Sequence, residues 1–308
     1  MMTLVKNTLS KLISSWDRFW FAPTNLLGLA YMRILLCGTL AIMYIIRSFN
    51  LEYYTDQSWI PRIYALKIMQ EGYRPPFLWF FWPDSMGSLM HTILVVLLVL
   101  LTLGIGGRWL MWAAWLIDLA FVQRNYGVNF GADLIGSIFL FYMMFTQSCE
   151  RLSVLSLWRK KKNFKSSDLL SSLMIRMMQI QICVIYAYTG FEKLKGASWW
   201  DGTALWSVMA NPQITTMDFS FLRFLPWSIA LFGFITVLFE IYFPVMVAWK
   251  KTRYLWLILG FGMHFGIGAS MALWNFSALM VSTYFLFIEP SILEPKLLKE
   301  RFGFLKKV

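Results

Sequence analysis

Long apolar runs alternate with short polar segments along most of the chain. Eight such runs carry few or no charged residues, and they occupy residues 26–46, 86–105, 109–122, 134–149, 173–191, 227–249, 254–270 and 274–288. About 20 helical residues are enough to cross a hydrocarbon layer ~30 Å thick. The pattern therefore predicts an all-α integral membrane protein, with about eight transmembrane helices in one bundle over residues 26–288.

The last two runs are not separated by any charge. Residues 254–288 contain no Asp, Glu, Lys or Arg. As a single helix they would extend roughly 52 Å, well beyond a ~30 Å core. We therefore expect the chain to turn back within residues 271–275.

Residues 1–24 have a different pattern, in which basic and aromatic side chains are mixed. Lys11 and Arg18 lie close to Trp16 and Trp20, just ahead of the first apolar run. This mixture is typical of an amphipathic helix that lies in the membrane interface. The segment lacks the apolar core and small-residue cleavage site of a signal peptide, so we expect none.

Composition supports the membrane interpretation. Hydrophobic residues make up 58% of the chain and charged residues 14%, whereas soluble domains are about a quarter charged. The formal net charge is +12. In a membrane protein such an excess indicates cytoplasmic loops that face anionic lipid, so we expect a lipid bilayer as partner and no nucleic acid.

The distribution of basic residues predicts the orientation. With the N-terminus inside, 18 Lys and Arg residues lie inside, 8 lie outside and 2 lie within spans. The basic clusters at residues 159–162 and 250–253 fall on the same side as both termini, as the positive-inside rule requires. The prediction is a multi-pass protein of the inner (cytoplasmic) membrane with both termini cytoplasmic and residues 289–308 as a basic tail.

Two long connections on the predicted outer side, residues 48–85 and 192–226, are rich in aromatic residues and proline. We expect them to pack as a lid or to lie in the interface. Their large side chains and prolines are Trp59, Pro61, Pro75, Pro76, Trp79, Phe80, Phe81, Trp82, Trp199, Trp200 and Trp206.

Ionisable and amide side chains inside apolar spans are costly and mark candidate functional positions. These residues are Arg33, His91, Asp118, Asp133, Arg176, Gln179, Gln181, Glu240 and His264. Arg33 and Glu240 lie part-way along their helices, and we expect them to neutralise each other as a structural ion pair. Asp133 is expected to cap the start of the fourth span.

No pattern of metal ligands or soluble-enzyme motif is present. The two histidines, His91 and His264, lie on separate spans and are interpreted as hydrogen-bonded interior residues. Cys37, Cys149 and Cys183 lack any CxxC spacing, so we expect neither a disulfide framework nor a metal site. The glycines of residues 104–107 are interpreted as a tight turn, not a phosphate loop.

Lys193 is the residue with the clearest catalytic potential. It lies where an apolar helix meets the second aromatic connection. Partial burial there would favour the neutral amine, which can act as a base. The alternative is a lysine that extends its ammonium group to the interface from a helix end.

The segment around Lys193 resembles a known signature. Gly190-x-x-Lys193-Leu194, followed by Trp199/Trp200-x-Gly202, is similar to that of the HTTM superfamily, the membrane domain shared by vitamin K-dependent gamma-carboxylases and many bacterial relatives. Further landmarks in the same order cover nearly the whole chain. They are Trp16-Asp17-Arg18-Phe19, Ala22-Pro23, Tyr31-Met32-Arg33-Ile34, Tyr53-Tyr54-Thr55-Asp56 with Pro61, Glu240 before Pro244, and His264.

The resemblance implies a function. Lys193 would be the base that deprotonates a reduced quinone of the menaquinol or vitamin K hydroquinone type, at the outer face. Trp199, Trp200 and His264 would bind this cofactor, and a secreted peptide or a small molecule would be the substrate.

The sequence also departs from the carboxylases. They carry a large lumenal β-rich region, whereas about 20 residues follow the last predicted span here, so a large protein substrate is not expected. The family's histidine near the fourth span has no counterpart in residues 146–157. Two functions remain open, a quinol-linked membrane enzyme and a non-catalytic factor for maturation, export or immunity of a secreted peptide. A transporter is disfavoured because no inverted repeat is found.

Overall fold

The computed structural model describes residues 2–24, 26–53, 82–124, 129–154, 156 and 167–294. Within these ranges the chain is helical and contains no strand. It divides into two compact units, of which unit 1 comprises Met1–Met177 with Glu289–Val308 and unit 2 comprises Met178–Ile288. The all-α prediction is therefore confirmed for the described chain.

Unit 1 contains the first five helices, the beginning of the sixth and a short C-terminal one. They are α1 (Met2–Phe21), α2 (Leu27–Arg47), α3 (Gly87–Thr102), α4 (Arg108–Arg124), α5 (Gly131–Met143), α6 (Leu169–Lys195), which continues into unit 2, and α12 (Pro290–Leu293). Unit 2 adds α7 (Ala197–Trp200), α8 (Ala204–Met209), α9 (Pro226–Ala248), α10 (Lys250–Met271) and α11 (Trp274–Tyr284). Short 3₁₀ segments lie at Ser48–Tyr53, Asp84–Met86 and Ser220–Phe224.

Each of the eight predicted apolar runs coincides with one helix, from α2 to α6 and from α9 to α11. Four helical segments are long and apolar enough to cross a membrane, namely Leu27–Glu52, Leu169–Lys195, Pro226–Ala248 and Lys250–Met271. Gly87–Thr102 and Gly131–Met143 are apolar but shorter. The described chain is thus a helical membrane protein with at least these four candidate spans.

The core of unit 1 forms where α2 packs against α3 and α5. Leu36 and Leu40 of α2, Leu94 and Leu98 of α3 and Phe139 of α5 are almost completely buried. The two leucines of α2 and the two of α3 are each four residues apart, so each pair lies on one face of its helix and turns to a common interior with Phe139.

Arg33 is fully buried in unit 1, where it binds the chain that follows α5. Its guanidinium donates to the carbonyls of Ser148 at 2.9 Å and Leu152 at 2.7 Å, and more weakly to that of Arg151. The predicted Arg33–Glu240 ion pair is therefore wrong, because Glu240 pairs with a lysine of unit 2. Backbone carbonyls are a known alternative partner for an intramembrane arginine.

Asp133 lies in the first turn of α5, where its carboxylate accepts the N–H of Phe130 at 3.1 Å. It also pairs with Arg47 of α2 at 2.6 Å. A carboxylate near a helix N-terminus stabilises the unpaired N–H groups there. Asp133 thus makes the cap contact that the sequence predicts, with a charged partner that the sequence did not indicate.

Asp168 caps the start of α6 in a similar way. Its carboxylate accepts the N–H of Ser171 at 2.8 Å and pairs with Arg108. Burial acts to raise the pKa of Asp168, but the hydrogen bonds from Ser171 and Arg108 outweigh it and the pKa is lowered.

The chain reverses between α10 and α11. Helix α10 ends at Met271, Ala272 adopts a left-handed conformation with φ of 54°, and α11 begins at Trp274. The hydroxyl of Ser277 donates to the carbonyl of His264 at 2.7 Å, so α11 packs back along α10. The break falls within residues 271–275, where the sequence predicts it.

Helix α1 is held to the start of α6. The Arg176 guanidinium donates to the Phe19 carbonyl at 2.9 Å and lies 5.0 Å from the centre of the Phe19 ring. Apolar side chains of α1 remain exposed, among them Leu12, Ile13 and Trp16. This exposure is compatible with the predicted interfacial position.

Several predictions fall outside the described residues. They concern the landmark residues 54–56 and 61, most of the first aromatic connection, the basic cluster at residues 159–162 and the tail beyond residue 294.

Candidate functional site

The candidate site in unit 2 begins with one face of α6. Tyr186, Gly190 and Lys193 are spaced four and three residues apart, so they lie on the same side of the helix. A Cβ atom added to Gly190 would lie 2.9 Å from the backbone nitrogen of Ile241 and 3.1 Å from Cβ of Glu240. Gly190 therefore allows α6 and α9 to approach closely at this level.

Lys193 uses this close approach to reach a buried carboxylate. Its Nζ atom lies 2.6 Å from Oε2 of Glu240 on α9. The Lys193 side chain is 23% exposed and that of Glu240 is 9% exposed. The Thr189 hydroxyl also lies beside the Glu240 carboxylate. The pair thus joins a partly accessible amine to an acid in the interior.

Glu240 gives Lys193 a partner that can take its proton. Transfer of one proton from the Lys193 ammonium to the Glu240 carboxylate leaves a neutral amine beside a carboxylic acid. Glu240 is therefore a second proton-carrying group of the site, where the sequence interpretation had only the lysine.

Trp199 lies next to Lys193, whereas Trp200 does not share that contact. The Lys193 Nζ atom is 5.5 Å from the centre of the Trp199 ring, within the range of a cation–π interaction. Trp200 is 63% exposed, and its indole N–H donates to the carbonyl of Leu194 at 2.7 Å. The structure therefore brings one of the two predicted tryptophans to the amine.

His264 belongs to a second polar cluster deeper in unit 2. Its Nε2 atom lies 2.7 Å from the hydroxyl of Tyr186, which lies 2.5 Å from the hydroxyl of Tyr284. Tyr186 is seven residues before Lys193, which corresponds to roughly 10 Å along α6. His264 is thus about two helical turns from the end of α6 that carries Lys193.

The two parts of the site are electrically linked by Glu240. Its carboxylate is close enough to Tyr186 and Tyr284 for its charge to act on both hydroxyl groups. The Nδ1 atom of His264 is buried and has no hydrogen-bond partner among the described residues. The site therefore offers several groups that can hold or pass a proton, from the surface into the interior.

Sequence reasoning missed Tyr186 and Tyr284. Tyr186 carried a usable signal, because a residue seven positions before Lys193 lies on the same helix face. Tyr284 carried none, since it lies on α11 and its position relative to α6 depends on the tertiary packing.

Within the described part of the chain, no group of three or more His, Cys, Asp or Glu residues is placed to hold a metal ion. Comparisons with protein-family models, with curated proteins and with solved structures found no match to this chain.

Proposed function

We propose that the protein is an HTTM-type membrane enzyme that moves a proton at its outer face, with Lys193 as the base and Glu240 as its partner. The observation that carries the proposal is the Lys193–Glu240 ion pair beside Trp199. A buried carboxylate paired with a partly exposed amine, next to an aromatic ring, supplies the two things that a flat molecule with an acidic hydroxyl needs, a surface to stack on and a group that takes its proton.

The residues at this point fit a reduced quinone of the menaquinol or vitamin K hydroquinone type. Trp199 provides an aromatic surface, and Lys193 provides an adjacent polar group that remains 23% exposed. When bound, such a quinone would supply an acidic hydroxyl and reducing equivalents. Trp200 and His264 lie elsewhere, so in this proposal they have supporting roles at the rim and in the interior.

The chain's own residues then account for proton transfer. The Lys193 ammonium gives one proton to the Glu240 carboxylate, and the resulting amine accepts one proton from a bound hydroxyl. The net result is a protonated Glu240 beside a Lys193 ammonium. Because Glu240 accepts the proton that Lys193 gives up, no proton has to be released to water when the reaction occurs.

The proposed topology places this site outside. Eight spans with both termini cytoplasmic put Lys193 at the outer end of α6, and the charge distribution favours this orientation. A secreted peptide or a small molecule would then reach the site without crossing the membrane.

The second candidate is a non-catalytic membrane factor for maturation, export or immunity of a secreted peptide. It is favoured by the same ion pair, because Lys193 and Glu240 neutralise each other and can serve only to hold α6 against α9. In this case the aromatic outer segments bind a partner, and Lys193 can be replaced without loss of function.

Copurification of small molecules distinguishes the two candidates. The protein is extracted in mild detergent without added cofactor, and bound molecules are identified by mass spectrometry. We expect a quinone at near-stoichiometric yield in the wild type and much less in Lys193→Met and Trp199→Leu.

Lys195→Met is the matched control, because Lys195 lies on the same helix end and pairs with Glu192, with its side chain 69% exposed. It should retain the quinone. Phospholipid alone in every sample would contradict the enzyme and support the partner-binding factor.

A further inference from the structure

Helix α9 gives a measure of membrane depth within unit 2. It is long and apolar enough to cross a membrane and has an exposed tryptophan near each end, Trp227 and Trp249. Tryptophan is enriched at both membrane–water interfaces. Residues 227 and 249 are separated by about 33 Å of helix, which matches a hydrocarbon core ~30 Å thick. One interface therefore lies near Trp227, the outer one in the proposed topology, and the other lies near Trp249.

On this scale the Lys193–Glu240 pair lies deep. Glu240 is roughly 20 Å along the helix from Trp227 and roughly 14 Å from Trp249. The Lys193 Nζ atom lies 2.6 Å from the Glu240 carboxylate, and Lys193 belongs to the last turn of α6. Helix α6 therefore ends near the middle of the bilayer and not at its outer surface.

The chain that follows α6 returns toward Trp227 along α9. A Cβ atom added to Gly202 would lie 2.5 Å from Cβ of Ala230, and one added to Gly233 would lie 4.0 Å from Cγ of Leu205. Both contacts lie in the second turn of α9, roughly 5–9 Å below the interface at Trp227. Residues 196–205 therefore lie at membrane depth, although their backbone is interrupted by the turn between α7 and α8.

This returning segment exposes polar side chains at a depth where α9 exposes apolar ones. Six of the eight exposed residues within 192–207 are polar, and we call them the polar strip: Glu192, Lys195, Ser198, Asp201, Thr203 and Ser207. Between residues 230 and 240 of α9, the exposed side chains are Leu231, Phe232, Phe234, Ile235 and Leu238. One side of this region is therefore suited to lipid and the other is not.

The polar strip includes an ion pair that lipid would not tolerate. Lys195 and Glu192 are 2.6 Å apart, and their side chains are 69% and 42% exposed. Charged groups and irregular backbone at membrane depth are stable only where they are buried in protein or face water. Because the side chains of this pair are exposed, they must face water.

We propose that water from the interface near Trp227 reaches the Lys193–Glu240 pair along the polar strip, to about the middle of the bilayer. The path brings a polar, water-soluble substrate to a base that lies at membrane depth. As a substrate route it rests on the proposed function, whereas the water path itself rests only on depth and exposure. The exposed part of Lys193 then faces the end of this path.

Cysteine accessibility in lipid nanodiscs tests the path. Both membrane faces are open in a nanodisc, so the result does not depend on the orientation of the protein. The three native cysteines are first replaced, and Lys195→Cys, Ser198→Cys and Leu238→Cys are then introduced one at a time. Leu238 is the matched control, because it is 54% exposed and lies two residues from Glu240 at the same depth.

A charged thiol reagent that stays in water should modify Lys195→Cys and Ser198→Cys at least about tenfold faster than Leu238→Cys, because a thiol in an apolar environment forms little of the reactive thiolate. Ser198→Cys changes one atom only, so it keeps the test valid if Lys195→Cys does not fold. Slow modification of all three variants would place the end of α6 in lipid and overturn the proposal. Fast modification of all three would place Glu240 outside the hydrocarbon core and overturn it as well.

The outcome is independent of the quinone test. If no quinone copurifies but Lys195→Cys and Ser198→Cys react fast, the quinol-linked function fails and the water path stands. If a quinone copurifies but both cysteines react as slowly as Leu238→Cys, the function stands and the water path fails.

Discussion

At the residue scale, the partners of the intramembrane charges determine what each charge can do. Arg33 donates to backbone carbonyls, whereas Glu240 binds Lys193. The first arrangement ties α2 to the segment that follows α5. The second joins an amine and a carboxylate, at a point where the lysine side chain is 23% exposed.

Replacing Lys193 of the Lys193–Glu240 pair should lower the unfolding free energy more than replacing Glu240. Lys193→Met leaves a carboxylate that is only 9% exposed, whereas Glu240→Leu leaves an amine that is 23% exposed and can extend toward water. We expect Lys193→Met to lose about 3 kcal/mol of unfolding free energy and Glu240→Leu to lose less.

The double replacement Lys193→Met, Glu240→Leu should recover much of that loss, because the interface becomes apolar on both sides. Reversible unfolding in mixed detergent measures all three variants. Independent and additive losses would show that the two charges do not stabilise each other.

At the scale of elements, close helix approach at single glycines determines which side chains meet. Gly190 allows α6 to approach the backbone of α9 one turn before Lys193. Tyr186 on the same face then meets His264 of α10 and Tyr284 of α11. The Gly-x-x-Lys spacing therefore has a structural reason, since the glycine allows the contact that the lysine uses.

Gly190→Ala tests this role. The added methyl group would lie 2.8 Å from Cγ1 and 2.9 Å from the backbone nitrogen of Ile241, so the helices must separate. We expect a loss of about 1–3 kcal/mol in unfolding free energy. Gly262→Ala in α10 is the control, because nothing lies within 4 Å of the added atom.

The control should be neutral or slightly stabilising, by up to about 1 kcal/mol, since alanine has the higher helix propensity. Equal effects of Gly190→Ala and Gly262→Ala would mean that the close approach of α6 and α9 has no energetic importance.

At the scale of the whole molecule, each compact unit carries its own buried polar cluster. The cluster of unit 1 contains Tyr44, His91 and Asp118. The cluster of unit 2 contains Lys193 and Glu240 together with the Tyr186–His264–Tyr284 chain. The proposed topology opens the Lys193 end of unit 2 to the outside, which the function requires.

Labelling of introduced cysteines tests that topology. Cys37, Cys149 and Cys183 are first replaced, and Lys195→Cys and Lys251→Cys are then introduced one at a time. In intact cells, a thiol reagent that cannot cross membranes should label Lys195→Cys. It should label Lys251→Cys only after permeabilisation. The reverse pattern would place the Lys193 site inside and exclude a secreted substrate.

The sequence determined the helical elements and their approximate ends. The length of an apolar run and its lack of charge are properties of one segment. A backbone in an apolar environment has to satisfy its own hydrogen bonds, so such a segment forms a helix. The break near Ala272 and the cap contact of Asp133 were also predictable, since a length limit and a helix start are properties of one segment.

Only the tertiary structure decided which polar groups meet. The predicted Arg33–Glu240 pair was wrong, and Tyr186 and Tyr284 were not predicted, because contacts between helices depend on their rotation and on how closely their backbones approach. Sequence periodicity shows which face of a helix is apolar, but not which other helix packs against that face. The sequence thus pointed to Lys193, and the packing of α6 against α9 supplied the carboxylate that pairs with it.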